Sequence, residues 1–204
     1  GAQRAPAVAK SMSPQAIIDA IHRAGGLAIL AHPAWSLNSP EEIRALRGLD
    51  GIEIYNSTSG VHMSRRADAS VIVDLLGKEG FFLPLHAADD AHHYDNDVCF
   101  SWIMVEADDN SPEALLPAIR AGRFYATQGP EVHLFREGDE MVVRCSPCSE
   151  IILRSNLVWS RAIFTGEDLC EARYRLRGNE SFMRAEVVDA NGKHAWSQVI
   201  ARGE

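Results

Sequence analysis

Leu27-Ala28-Ile29-Leu30-Ala31-His32-Pro33 carries an apolar run straight into a histidine and then a proline. A run this short, stopped by a residue that cannot donate to a sheet, predicts a buried strand with His32 at its C-terminal lip. Upstream, Ser13-Pro14 forms an N-cap and first-turn pair, Ile17, Ile18 and Ile21 line one helical face, and Gly25-Gly26 ends the helix. Downstream, Ser39-Pro40-Glu41-Glu42 combines a capping box with a first-turn proline, and a strand over residues 52–55 follows. Residues 64–78 place Ala67, Val71 and Leu75 on one helical face, closed by Gly80. Residues 81–83 then read as a strand running into Pro84-Leu85, residues 102–105 as another, and Ser111-Pro112-Glu113 starts a helix reaching Gly122. Alternation of this kind predicts an α/β fold of parallel strands with crossover helices, an open sheet or a barrel. Both place chemistry at the C-terminal strand ends.

After Gly129-Pro130 the pattern changes to short alternating apolar segments, with Gly138-Asp139 and Asn191-Gly192 as hairpin turns. The reading is therefore residues 1–130 as an α/β unit and 131–204 as a small antiparallel β domain. Formal net charge is -8, which argues against a phosphate-backbone binder. No apolar run is long enough to span a bilayer, and the first residues carry no signal pattern, so a soluble, cytoplasmic setting is expected, with no membrane or nucleic-acid partner. Assembly of identical chains is compatible with this composition. Of four cysteines, only Cys145 and Cys148 form a C-x-x-C, read as turn residues between two strands.

Of the eight histidines, His22, His62, His133 and His194 read as hydrogen-bonded loop residues. Others stand just past strands. Leu85-His86-Ala87-Ala88-Asp89-Asp90-Ala91-His92-His93 packs two acids and three histidines into nine residues. Asp90 and His92, two apart, leave an extended backbone on one side. With His32 arriving from another strand end, two histidines and a carboxylate make a ligand set for Zn, Mn or Fe that leaves coordination positions open.

The combination of Gly25-Gly26-Leu27-Ala28-Ile29-Leu30-Ala31-His32-Pro33, Gly51-Ile52-Glu53-Ile54-Tyr55-Asn56 and Asp89-Asp90-Ala91-His92 resembles the later motifs of the PHP (polymerase and histidinol phosphatase) family. The segments at residues 121–130 and 191–197 look like the tail of a subgroup of PHP metallohydrolases with a small C-terminal β domain. The resemblance implies the C-terminal part of a distorted (β/α)7 barrel followed by a small antiparallel β domain, and a metal-dependent hydrolase, foremost a phosphoesterase acting on a small molecule through metal-activated water. It also implies His32, Asp90 and His92 as divalent-metal ligands, with Glu53 and Asn56 beside the substrate pocket. Arg123 reads as a phosphate clamp through its planar donors, and His86 and His93 as proton donors to the leaving group. The family opens with an H-x-H pair on its first strand, and this chain contains none, so the expectation is a later portion of a longer barrel. Two competing readings stand beside it: an amide or carbamate ester metallohydrolase on the same scaffold, and a non-catalytic binding module.

Overall fold

A computed structural model of the chain describes residues 5–61 and 64–203. His62, one of the histidines read as loop residues, lies outside them.

The expected helix starts form where local hydrogen bonds dictate. Ser13 caps α1 (Pro14–Arg23) by accepting from the Ala16 amide, and Ser39 and Glu42 close a reciprocal capping box at α3 (Pro40–Ala45). A short helix α2 (Pro33–Ser36) starts at Pro33, directly after His32, and the sequence reading had no place for it. Helix α4 covers Ser70–Lys78 and α5 covers Pro112–Arg120. In α4 the expected inward face is turned to solvent: Val71 and Leu75 are exposed, while Val73 and Leu76 are buried. The helix is apolar nearly all round, so periodicity alone could not choose the face.

Strands β1 (Ile29–Leu30), β2 (Gly51–Asn56) and β3 (Leu85–Ala88) form a parallel three-stranded sheet in that order. The third strand begins after Pro84; Phe81, Phe82 and Leu83, read as the strand, stand outside it. Everything beyond belongs to one antiparallel sheet. Its path runs β4 (Trp102–Val105), β5 (Phe124–Thr127), β10 (His194–Trp196), β9 (Phe182–Val188), β7 (Glu140–Ser155) and β6 (Val132–Glu137). Two further strands, β8 (Ile163–Arg175) on β7 and β11 (Ile200–Ala201) on β9, complete its eight.

This architecture corrects the barrel expectation. With 21% helix against 35% strand and an antiparallel sheet of eight strands, the chain is no portion of a (β/α)7 or TIM-like barrel. The physical reason lies in β4 and β5, which the alternation of strands and helices had assigned to parallel pairing. They pair antiparallel although α5 separates them, and β4 is only half-buried with Met104 exposed. A barrel strand would be covered on both faces. A short apolar run records burial, not direction.

Two cores result. One fills the large sheet around Val143, Ile151, Leu153, Met183 and Val187. The other packs Ile52, Ile54, Val73, Leu76 and Leu85 against Ala126 and Trp196, so the parallel sheet is covered by residues of the antiparallel one. Gln198 ties the two further, accepting from the Leu85 amide at 2.7 Å and donating to the Leu85 and Phe124 carbonyls.

Candidate functional site

The C-terminal ends of β1, β2 and β3 face one lip. At the end of β1 the chain turns sharply: His32 has φ 35° and ψ 52°, a left-handed conformation unusual for a residue with a Cβ. It is held there by Glu53, whose Oε2 accepts from the His32 amide at 2.7 Å. The same oxygen accepts from Asn56 Nδ2 at 2.8 Å, and Asn56 Oδ1 in turn accepts from the Ser59 amide at 2.9 Å. Glu53 and Asn56 are both buried, so the strand-end motif works as a bracket that fixes the β1 and β2 exits relative to each other.

The His32 ring is fixed as well. Its Nδ1 lies 2.9 Å from Ser36 Oγ, and its plane meets Trp35 edge-on with centroids 5.1 Å apart. Nε2 is then the nitrogen presented to a ligand or a proton. Neither Trp35 nor Ser36 stood out in the sequence; the signal was present only as the i+4 spacing of a serine on a helix starting at Pro33.

Past β3, Asp89 and Asp90 diverge. The Asp89 carboxylate accepts from the amides of Cys99, Phe100 and Ser101, and its carbonyl accepts from Thr58. It clamps two loops together, a task the sequence reading left unassigned. Asp90, exposed, adopts φ 55°. Two non-glycine residues in left-handed backbone, past the ends of the two outer strands of this sheet, hold conformations that persist only where the surroundings impose them.

Electrostatics join these residues. Burial raises the Glu53 pKa above its ordinary 4.5, hydrogen bonds from Asn56 and the His32 amide oppose that rise, and the charges of His32 and Asp90 act on it in opposite directions. His32, Glu53 and Asp90 thus share one neighbourhood.

The other expected residues stand elsewhere. His86 is buried inside β3, its ring tilted 51° against Phe124 with centroids 4.6 Å apart, and its Nε2 has no hydrogen-bond partner. His92 and His93 are exposed on the loop beyond, their amides directed at Asp97 Oδ2. Arg123, also exposed, lines a cleft with Met104, Tyr125 and His133. Among the described residues no group of three or more His, Cys, Asp or Glu is placed to hold a metal ion. The D-x-H spacing assumed extended backbone, and the left-handed turn at Asp90 departs from that geometry. No helix among the described residues is long and apolar enough to cross a membrane.

Comparison with protein-family models, curated proteins and solved structures finds no match for this chain.

Proposed function

We propose that the lip formed by β1, β2 and β3 is a hydrolytic site for a small phosphoester, built on His32, Glu53 and Asp90. The observation that carries this reading is the placement of one imidazole and two carboxylates on or just past parallel strand ends of one sheet, two of the three in left-handed backbone. The resemblance of the segments around His32, Glu53 and Asp90 to PHP motifs supports it. In the mechanism, Ser36 keeps His32 Nδ1 occupied, so Nε2 exchanges the proton with the attacking water or the leaving group. Glu53 fixes the His32 backbone by accepting from its amide, which holds the ring at the strand end.

Donor chemistry suits Zn, Mn or Fe, since imidazole and carboxylate are ligands these ions share. Donor number does not, because the described residues assemble fewer than three. No step is therefore assigned to a cation, and the proposed cofactor rests on His32 and Asp90 as two donors. Two carboxylates at one lip also repel an anionic phosphoester and tolerate a neutral ester, which favours amide or carbamate ester cleavage as the second reading.

The test is turnover of p-nitrophenyl phosphate and of a neutral p-nitrophenyl carbamate, with and without added Zn, Mn or Fe, alongside elemental analysis. Phosphoester turnover, lowered at least about tenfold in His32→Ala and Asp90→Ala, is the expected result. Carbamate turnover alone selects the second reading. No turnover of either ester together with no bound metal would overturn both and leave a binding module.

A further inference from the structure

The C-x-x-C pair does not sit in a turn between two strands, as its surroundings suggested. It lies inside the single sixteen-residue strand β7. In regular extended chain, residues three apart point to opposite faces and stand roughly 10 Å apart, too far for their side chains to meet. Here Cys145 Sγ and Cys148 Sγ are 3.6 Å apart. The cause is a pair of compensating bulges. Between the Arg144 to Glu171 and Cys148 to Leu169 pairings, β7 advances four residues while β8 advances two. Between Cys148 and Glu150, β7 advances two while β8, from Leu169 to Thr165, advances four. The strand folds outward where the cysteines lie and returns to register beyond them.

Both sulfurs share one acceptor, the Leu169 carbonyl, at 3.6 Å from Cys145 and 3.2 Å from Cys148. Cys148 belongs to the buried core, whereas Cys145 is half-buried. Cys148 also forms part of the wall of an open cleft with Pro147, Ser149, Glu167 and Asp168. Two thiols held in contact by an irregularity that costs ladder hydrogen bonds, beside a cleft, need a reason that core packing does not provide.

We propose that Cys145 and Cys148 are a dithiol–disulfide couple, closed to an intramolecular bond by a small-molecule disulfide. The Cys145 thiolate attacks one sulfur of the external disulfide, forming a mixed disulfide and releasing the first small thiolate. The Cys148 thiolate then attacks the Cys145 sulfur, forms the Cys145–Cys148 bond and expels the second. Two protein thiols are oxidised, one external disulfide is reduced to two thiols, and the two cysteine protons end on the departing thiols. Burial pushes the Cys145 thiol up to about 12, so closure is slow near neutrality and accelerates as pH rises. Glu167 and Asp168 line the cleft beside Cys148, so the surroundings of the pair disfavour anionic disulfides. The ring encloses only two residues, so the chain-entropy gain is small. The change is local: Leu169 loses both S–H donors at the bulge.

Tryptic cleavage after Arg144 and Arg154 isolates residues 145–154, which hold this pair and neither Cys99 nor Cys170. The folded protein is treated with bis(2-hydroxyethyl) disulfide, an uncharged probe, at about pH 8.5, near the free-thiol pKa. It is then quenched with iodoacetamide under denaturing conditions, digested and weighed by mass spectrometry. The expected product is the unalkylated peptide, two hydrogens lighter, returning to the doubly alkylated form after dithiothreitol. In Cys148→Ser the same peptide should instead retain a hydroxyethylthio adduct on Cys145, because the second attack is missing. A doubly alkylated wild-type peptide, or a cross-link from either cysteine to Cys170, would overturn the proposal.

Discussion

His86 shows how a residue's chemistry follows from where its strand begins. Because β3 starts beyond Pro84, the ring lies in the sheet interior, its Nε2 sealed and unpartnered, and burial pushes its pKa from 6.5 down to about 4. Between those values the unfolded chain binds a proton that the folded chain refuses. Stability is then fully present above 6.5 and is lost as pH falls toward 4, by up to about 3 kcal/mol. Urea denaturation from pH 7 to 4 should show this slope, and His86→Leu should flatten it; an unchanged slope would place the proton elsewhere. The sequence could show that His86 follows a strand signal, because the apolar run and proline are local. It could not show that the strand starts four residues later, at Leu85 and not at Phe81, which is settled by Ile52 pairing across from Leu85. Glu53 was legible as a strand-end acid for the same local reason. Its grip on the His32 amide, twenty-one residues back, was not.

Strand β2 is constrained at its first residue. A Cβ on Gly51 would stand 2.5 Å from His86 Cδ2 and Nε2 and 3.0 Å from Ile29 Cδ1, all in the sheet interior. Gly51→Ala is expected to destabilise by about 1–3 kcal/mol, and His86→Ala in the same chain to return part of that loss, so that a double-mutant cycle reads a coupling between β2 and β3. Additive effects would mean the ring has room to move. At α3 the expected cost is of a different kind: Ser39→Ala removes the acceptor of the Glu42 amide and should cost about 1 kcal/mol by chemical denaturation. The contrast marks what could be read at this scale. Caps join residues three apart and are written in contiguous sequence. The face of α4, the direction of β4 against β5 and the unbroken course of β7 through Cys145 and Cys148 depend on partners far along the chain.

Across the whole molecule, one buried cation joins the two sheets' layers. Arg184 on β9 is fully buried and forms a two-pronged pair with Asp74 on α4, at 2.7 and 3.0 Å. Its Nη1 stands 3.8 Å from Glu186, beyond hydrogen-bond reach. Asp74→Ala should cost about 3 kcal/mol, because it strands a buried charge, whereas Arg184→Met combined with Asp74→Leu should restore most of it. Failure of the double variant to recover would show that the pair does more than balance charge. Glu186 also accepts from His194 Nδ1 at 2.9 Å, and that bond raises the histidine's pKa above 6.5. The Glu186 carboxyl is held below 4.5: burial pushes it up, and the bonds and charges of His194, Arg184 and Arg154 outweigh that push. The His194 contribution is complete below 6.5 and disappears as pH climbs through its raised pKa, while the Glu186 contribution disappears as pH falls through its lowered one. Together with His86, these groups lower stability on both the acid and the alkaline side, and His194→Gln should remove its share of the alkaline loss. The same histidine lies flat on Trp196, centroids 5.6 Å apart and planes 14° from parallel, and Tyr55 covers the other neighbour position at 5.3 Å. An imidazolium in that stack draws on the indole's π-electrons and quenches its emission. The molecule therefore carries its own optical gauge: brightening of the Trp196 signal with rising pH, measured in a chain whose Trp35, Trp102 and Trp159 are replaced by phenylalanine, would read the proton leaving His194 without any added label.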